Sequence, residues 1–273
     1  MSATTVRNGT RRLVRQAASL ATTASIGIVA YAAMDMCHEV LGHGLATLFL
    51  DDVTPVRLTT VALSSAGAVS RSVALAGPLM NVALGVLALA WFRRLADFGT
   101  GAFFLWVFAT VNLLNGTGYA MYSGILDFGD LAVVIAGWQP HVGWRVGLAA
   151  LGVAGYYFVL RIASSSLARR LDVGEVRREV VPSLTLPVYV AGGLLLVAGA
   201  AMNPIPNLIL LVGASGGFGC MLGMVFVPAF LEPAANQAVG DVPWGWSWAW
   251  IVGAVFVAGI FVFIVGPGVA LRA

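Results

Sequence analysis

Lysine is absent from this 273-residue chain, and all 15 basic residues are arginine. With its abundance of Ala, Gly and Val, that points to a GC-rich prokaryotic genome. Charge of either sign is scarce, at 10% of residues against 59% apolar. A water-soluble domain of this length would lack the polar surface to cover itself, which excludes a soluble fold. The mean hydropathy of +0.91 comes from apolar stretches on the roughly 20-residue scale of membrane helices. The net charge of +3 gives no basis for nucleic-acid binding. The only two cysteines, Cys37 and Cys220, both sit in apolar segments, so no disulfide framework is supported. Both read as small buried hydrophobes, although Cys37 abuts His38 and could neighbour a metal. The first apolar run continues past the small residues near Ala30–Ala33 to Leu50, so it is not a cleaved signal peptide.

What is present is a series of spans. Roughly 19–49, 72–92, 102–120, 143–163, 184–202, 207–226 and 246–266 are each long and apolar enough to cross a bilayer. The expected fold is an all-α polytopic membrane protein of about seven transmembrane helices. Between the first two, 51–71 alternates Val, Thr and Leu loosely and reads as a short extended or hairpin segment. Asn115, Gly116 and Gly118 are expected to break the third helix, leaving "LAVVIAGW" too short to cross. No connection is long enough for a folded soluble domain; the longest, about 164–183, mixes Arg and Glu. Dense glycines in the later spans, among them Gly192, Gly193, Gly219 and Gly223, suit close helix packing. Trp244, Trp246, Trp248 and Trp250 read as an interfacial belt.

Arginine placement orients the chain. With the N terminus in the cytoplasm, eleven arginines (7, 11, 12, 15, 93, 94, 161, 169, 170, 177, 178) lie inside and only Arg57, Arg71, Arg145 and Arg272 outside. The chain thus divides into a cytoplasmic tail (1–18), a membrane core (19–138) and further transmembrane helices (139–273), in a prokaryotic inner membrane.

The chemistry concentrates in the first span. Asp35, His38, Glu39 and His43 fall within nine residues. Each ionisable residue inside a bilayer costs roughly 2.5–3.5 kcal/mol on insertion scales, so such a group marks a functional site. A polar seam between helices is the plainer reading. "CHEVLGH" resembles the zinc signature HExxH with one residue added. Histidines five apart on an α-helix diverge by about 140° at ~100° per residue, which strains ligation of one ion. Two arrangements relieve this. A π-bulge near Gly42 would return both histidines to one face. Alternatively, Asp35, Glu39 and His43, spaced by four, form the working face with His38 beside it.

Downstream, Ala-Gly-Pro-Leu-Met-Asn (76–81) resembles the AGPxxN element of the site-2 protease family of intramembrane zinc metalloproteases. That family orders three core spans as this chain does: His-Glu in the first, Ala-Gly-Pro in the second, then Asn112 followed by Asp127 and Asp130. The extended 51–71 stretch sits where the family has membrane-associated β structure. The resemblance covers about residues 30–135. It departs in the extra residue between the histidines and in lacking the family's Asn-x-x-Pro spacing before the Asp.

The resemblance implies Zn²⁺ held by His38, His43 and an aspartate, with Glu39 as the catalytic base and a membrane-embedded peptide or protein as substrate. Asp130, next to the permissive Gly129, is the expected third ligand, with Asp127 in reserve. Asp35 would support an imidazole, and Asn112 or Asn115 would position substrate. His141 reads as a surface residue in a loop. Two other readings stand beside this one: a proton- or cation-coupled transporter using the same ionisable residues as a relay, and an inactive protease fold that binds another membrane protein. No internal repeat of the transporter kind is visible.

Overall fold

A computed structural model describes residues 3–50, 53–67, 70–171, 180–204, 215–231, 242 and 244–271, with the backbone alone for 3–15, 215 and 217. Arg177, Arg178, Arg272, residues 172–179 of the 164–183 connection and residues 207–214 of the expected 207–226 span lie outside the described residues.

Helix α1 (Ala3–Met36) runs without a break into a π-helical segment, Cys37–Gly44, and a last α turn, Leu45–Thr47. Strands β1 (Val53–Leu58) and β2 (Leu63–Gly67) form the expected hairpin between the first two spans. Then come α2 (Arg71–Arg94), α3 (Thr100–Leu126), the short α4 (Asp130–Ile135), α5 (His141–Ala168) and α6 (Val181–Ala201). Short helical turns fill Ser215–Phe230. Helix α7 (Trp248–Ile260) continues as a π turn to Val265 and ends in β3 (Val269–Ala270). The sheet order is β2-β1-β3, all antiparallel, which leaves β2 at an edge.

Five helices among the described residues are long and apolar enough to cross a membrane: Gln16–Thr47, Arg71–Arg94, His141–Ala168, Val181–Ala201 and Trp248–Val265. The protein is therefore an integral, multi-span helical protein. Helix α3 is long enough as well, at 27 residues, but Asn112, Asn115 and its glycines dilute its apolar character. It is the central helix of the bundle. Phe103, Trp106, Val107 and Leu114 are fully buried, and Trp106 Nε1 donates to Ala163 O on α5 at 3.1 Å. By contrast, Val153 and Phe158 on α5 and Val255, Phe256 and Phe263 at α7 are exposed, as expected of a lipid-facing surface.

Two expectations need correcting. Helix α3 is not broken at Asn115–Gly118; it continues to Leu126. At membrane depth each freed backbone group costs several kcal/mol, and this outweighs the weak helix preference of Asn and Gly measured in water. The glycines serve packing instead: a Cβ on Gly116 would meet Val82 Cγ2 at 2.5 Å, and one on Gly118 would meet Cys220 Cβ at 3.0 Å. Trp244 is likewise not part of an exposed belt. It is buried against Phe98 and Phe103 and donates to Thr23 Oγ1 at 3.1 Å, whereas Trp246 and Trp248 are exposed.

Contacts at the two ends order the bundle. Arg170 at the end of α5 donates to Phe92 O and Arg93 O at the end of α2, both at 3.0 Å, and offsets the negative pole of that helix. Trp244 ties the middle of α1 to the start of α3. The hairpin and the π segment lie at the opposite end, where β3 returns to β1.

Candidate metal centre

The site forms where the π segment crosses α2. In a π turn the backbone bonds from i to i+5, so residues five apart meet on one face. His38 and His43 have that spacing, and their Nε2 atoms are 3.2 Å apart. The bulge expected from the odd spacing is therefore present, and it spans Cys37–Gly44. His38, Glu39 and His43 are all buried, at 3%, 4% and 7% exposure. Their donor atoms lie within 4.8 Å of one another, a group that could hold a metal ion. Cys37 is not part of that group.

Close approach of the two helices depends on two glycines. A Cβ on Gly42 would come within 2.5 Å of Gly77 Cα. A Cβ on Gly77 would fall 2.6 Å from His38 Nε2 and 2.7 Å from His43 Nε2. Gly77 thus leaves the space into which both imidazoles point. Its neighbour Pro78 cannot donate to Ala74 O within the helix, and close by, Val73 O accepts from His43 Nδ1 at 2.7 Å.

The other imidazole is fixed by Asn81, the last residue of the Ala-Gly-Pro-Leu-Met-Asn stretch. Its Nδ2 donates to Asn112 Oδ1 at 2.9 Å and points to Met34 O at 3.4 Å. That leaves Oδ1 to accept from His38 Nδ1 at 2.6 Å. With both Nδ1 protons donated outward, both Nε2 lone pairs face inward.

A carboxylate approaches both imidazoles from α4. Asp130 Oδ2 is 3.0 Å from His38 Nε2 and 3.4 Å from His43 Nε2. The turn before it is built from left-handed residues, Asp127 at φ 55° and Gly129 at φ 84°. Asp127, the alternative third donor, is engaged elsewhere: its carboxylate meets His141 Nε2 at 2.9 Å and Arg145 Nη1 at 3.7 Å. His141 is therefore not a lone loop histidine. It opens α5 and helps pin the turn that presents Asp130.

Three donor atoms thus stand 3.0, 3.2 and 3.4 Å apart. Two inward lone pairs and a carboxylate at that separation repel unless a positive charge, a proton or a metal ion, sits among them. Metal–donor bonds of about 2.0–2.2 Å in tetrahedral geometry give edges of about 3.3–3.5 Å, so the triangle has the size of one face of a zinc site. The donor set fits the metal.

Glu39 stands beside the triangle. Its Oε2 accepts from the backbone N–H of Leu63 at 2.6 Å, a group on the edge strand β2. Glu39, His43, Leu63, Ser65, Tyr119 and Asp130 line an open cavity of about 220 Å³.

The other expected residues take different places. Asn112 is fully buried. Its Oδ1 accepts from Asn81 and its Nδ2 donates to Phe108 O at 2.8 Å, so it holds Asn81 rather than facing the open cavity. Asp35 makes no bond to an imidazole, and its Oδ2 is buried without a hydrogen-bond partner. The support expected of Asp35 comes from Asn81. Asn115 lines a second, smaller cavity. Tyr119 was not anticipated: its ring lies over His38, with centroids 5.3 Å apart, and lines both cavities. A signal existed, because Asn112, Asn115, Tyr119 and Ser123 recur at three- and four-residue spacing and form one polar stripe along α3.

Removal of the Asn81 support is expected to weaken the centre. Asn81→Leu should lower zinc affinity about 10- to 100-fold, the usual range for a partner that orients a ligating histidine. Competition against a chromophoric chelator measures this; unchanged affinity would remove Asn81 from the site. No family model, curated protein or solved structure matches this chain.

Proposed function

We propose that the protein is an intramembrane zinc metallopeptidase of the site-2 protease type, which hydrolyses peptide bonds of membrane-embedded substrates. His38, His43 and Asp130 would hold the ion, and Glu39 would act as general base. The observation that carries this reading is the convergence of His38 Nε2, His43 Nε2 and Asp130 Oδ2 within 3.4 Å of one another in a membrane-spanning bundle. When bound, zinc supplies Lewis-acid polarisation and lowers the pKa of a water in its open position to about 7.

The chain's own groups supply the rest. Glu39, adjacent to both histidines, is placed to take a proton from attacking water and return it to the leaving amine. Its Oε2 is already fixed by Leu63 N–H, so little reorganisation is needed. Asn81 and Val73 O keep both imidazoles in the ligating tautomer. The cavity is bordered by the free edge of β2, whose backbone can pair with an extended peptide and carry its carbonyls past Glu39. A helical substrate hides those carbonyls, so the substrate is a transmembrane segment that unwinds locally. With the N terminus in the cytoplasm, as the arginine distribution favours, the centre would lie toward the outer face of a prokaryotic inner membrane.

Reconstituted protein with a set of transmembrane peptides tests this reading. Cleavage should occur, stop on chelation and return with stoichiometric zinc. Ion flux without cleavage would support the relay reading, and zinc-independent behaviour would overturn the proposal.

A further inference from the structure

Glu39 and Tyr119 also line a second cavity, of about 40 Å³, whose walls include Asp35, Thr60 and Asn115. Two of its lining groups lack partners: Asp35 Oδ2 and Thr60 Oγ1 are buried and make no hydrogen bond to the protein. They come from separate elements, Asp35 from α1 and Thr60 from the turn between β1 and β2. A buried polar group left unsatisfied costs about 1–3 kcal/mol, and more when charged. Both residues line the same small space, where a hydrogen-bonding ligand would give them a partner.

The size and chemistry of the space identify it. A water needs about 10–15 Å³ of such space, so the cavity admits one. Asp35 and Glu39 offer acceptors, while the Thr60 hydroxyl, the Tyr119 phenol and the Asn115 amide offer donors. One water gives its two hydrogens to the carboxylates and accepts from two of these donors. We propose that the cavity holds a single ordered water that bridges Asp35 to Glu39 and makes Asp35 a positioning residue for Glu39. The water site stands on the geometry alone; the consequence for catalysis rests on the function proposed above. There, Leu63 N–H fixes one side of the Glu39 carboxylate and the water fixes the other, so the base is held toward the substrate cavity.

Hydroxyl-radical footprinting of the purified full chain tests the water itself. Radicals generated from a bound water oxidise the side chain beside it before bulk solvent arrives. Met34 is 2% exposed and lines this cavity. Met34 should be oxidised in the wild type at the earliest pulse and lose that labelling in the Asp35→Leu/Thr60→Val double variant, with exposed Met202 unchanged as the reference. Unlabelled Met34 in the wild type, or equal labelling in the double variant, shows a dry cavity and overturns the proposal.

A kinetic arm tests the positioning role. Asp35→Asn should retain full zinc and lower kcat about tenfold with KM unchanged, the scale of a lost supporting contact. An unchanged kcat, or loss of zinc, would remove Asp35 from that role. If the wild type cleaves nothing, the failure belongs to the proposed function, and the Met34 labelling still decides the water.

Discussion

Replacing Gly77 with alanine is expected to empty the metal centre while leaving the bundle folded. The added Cβ would sit 2.6 Å from His38 Nε2 and 2.7 Å from His43 Nε2, closer than a side-chain carbon approaches its neighbours. The imidazoles cannot swing aside freely, because Asn81 Oδ1 and Val73 O clamp their Nδ1 atoms. A site tolerates displacements of only about 0.5 Å before its ligand geometry is lost. Zinc affinity should therefore fall by more than tenfold, at least as far as when a supporting hydrogen bond is removed. Gly101→Ala is the control, since nothing lies within 4 Å of a Cβ there. Zinc content after dialysis against a weak chelator distinguishes them. Full zinc in Gly77→Ala would mean that the Ala-Gly-Pro stretch does not border the metal.

The second large effect concerns Glu39. Glu39→Gln preserves shape and the bond from Leu63 N–H, since the amide oxygen can still accept. It removes only the capacity to carry a proton. Cleavage should fall by about 10²- to 10⁴-fold, the contribution of a positioned general base, with zinc content unchanged. Cleavage at the wild-type rate would contradict the base role. Loss of zinc together with activity would make Glu39 a ligand instead, which the grouping of its carboxylate with both histidines also permits.

Much of this was legible in the sequence because it follows from local rules. Apolar length gives the spans, and alternation with small polar residues gives the hairpin. The five-residue gap between His38 and His43 poses a geometric problem on an α-helix, and the π segment resolves it. Gly129, singled out beside Asp130, takes a positive φ that most other residues would resist.

What was not legible depends on contacts between distant segments. Asn81 faces His38 across 43 residues of sequence, and only the crossing at Gly42 and Gly77 brings them together. The pairing of His141 with Asp127 needs α5 to start beside the end of α3. The continuity of α3 through Asn115 and Gly118 was missed because helix preferences measured in water do not hold where an unpaired carbonyl has no solvent to turn to. The third strand, Val269–Ala270, is too short to leave a pattern and forms only because the chain returns to β1.

X-ray absorption at the zinc edge of the purified protein tests the central claim most directly. One zinc per chain is predicted, with a first shell of nitrogen and oxygen that includes two imidazoles, and with the imidazole scattering halved in His43→Ala. A shell containing sulfur from Cys37, or one unchanged by loss of His43, would contradict it.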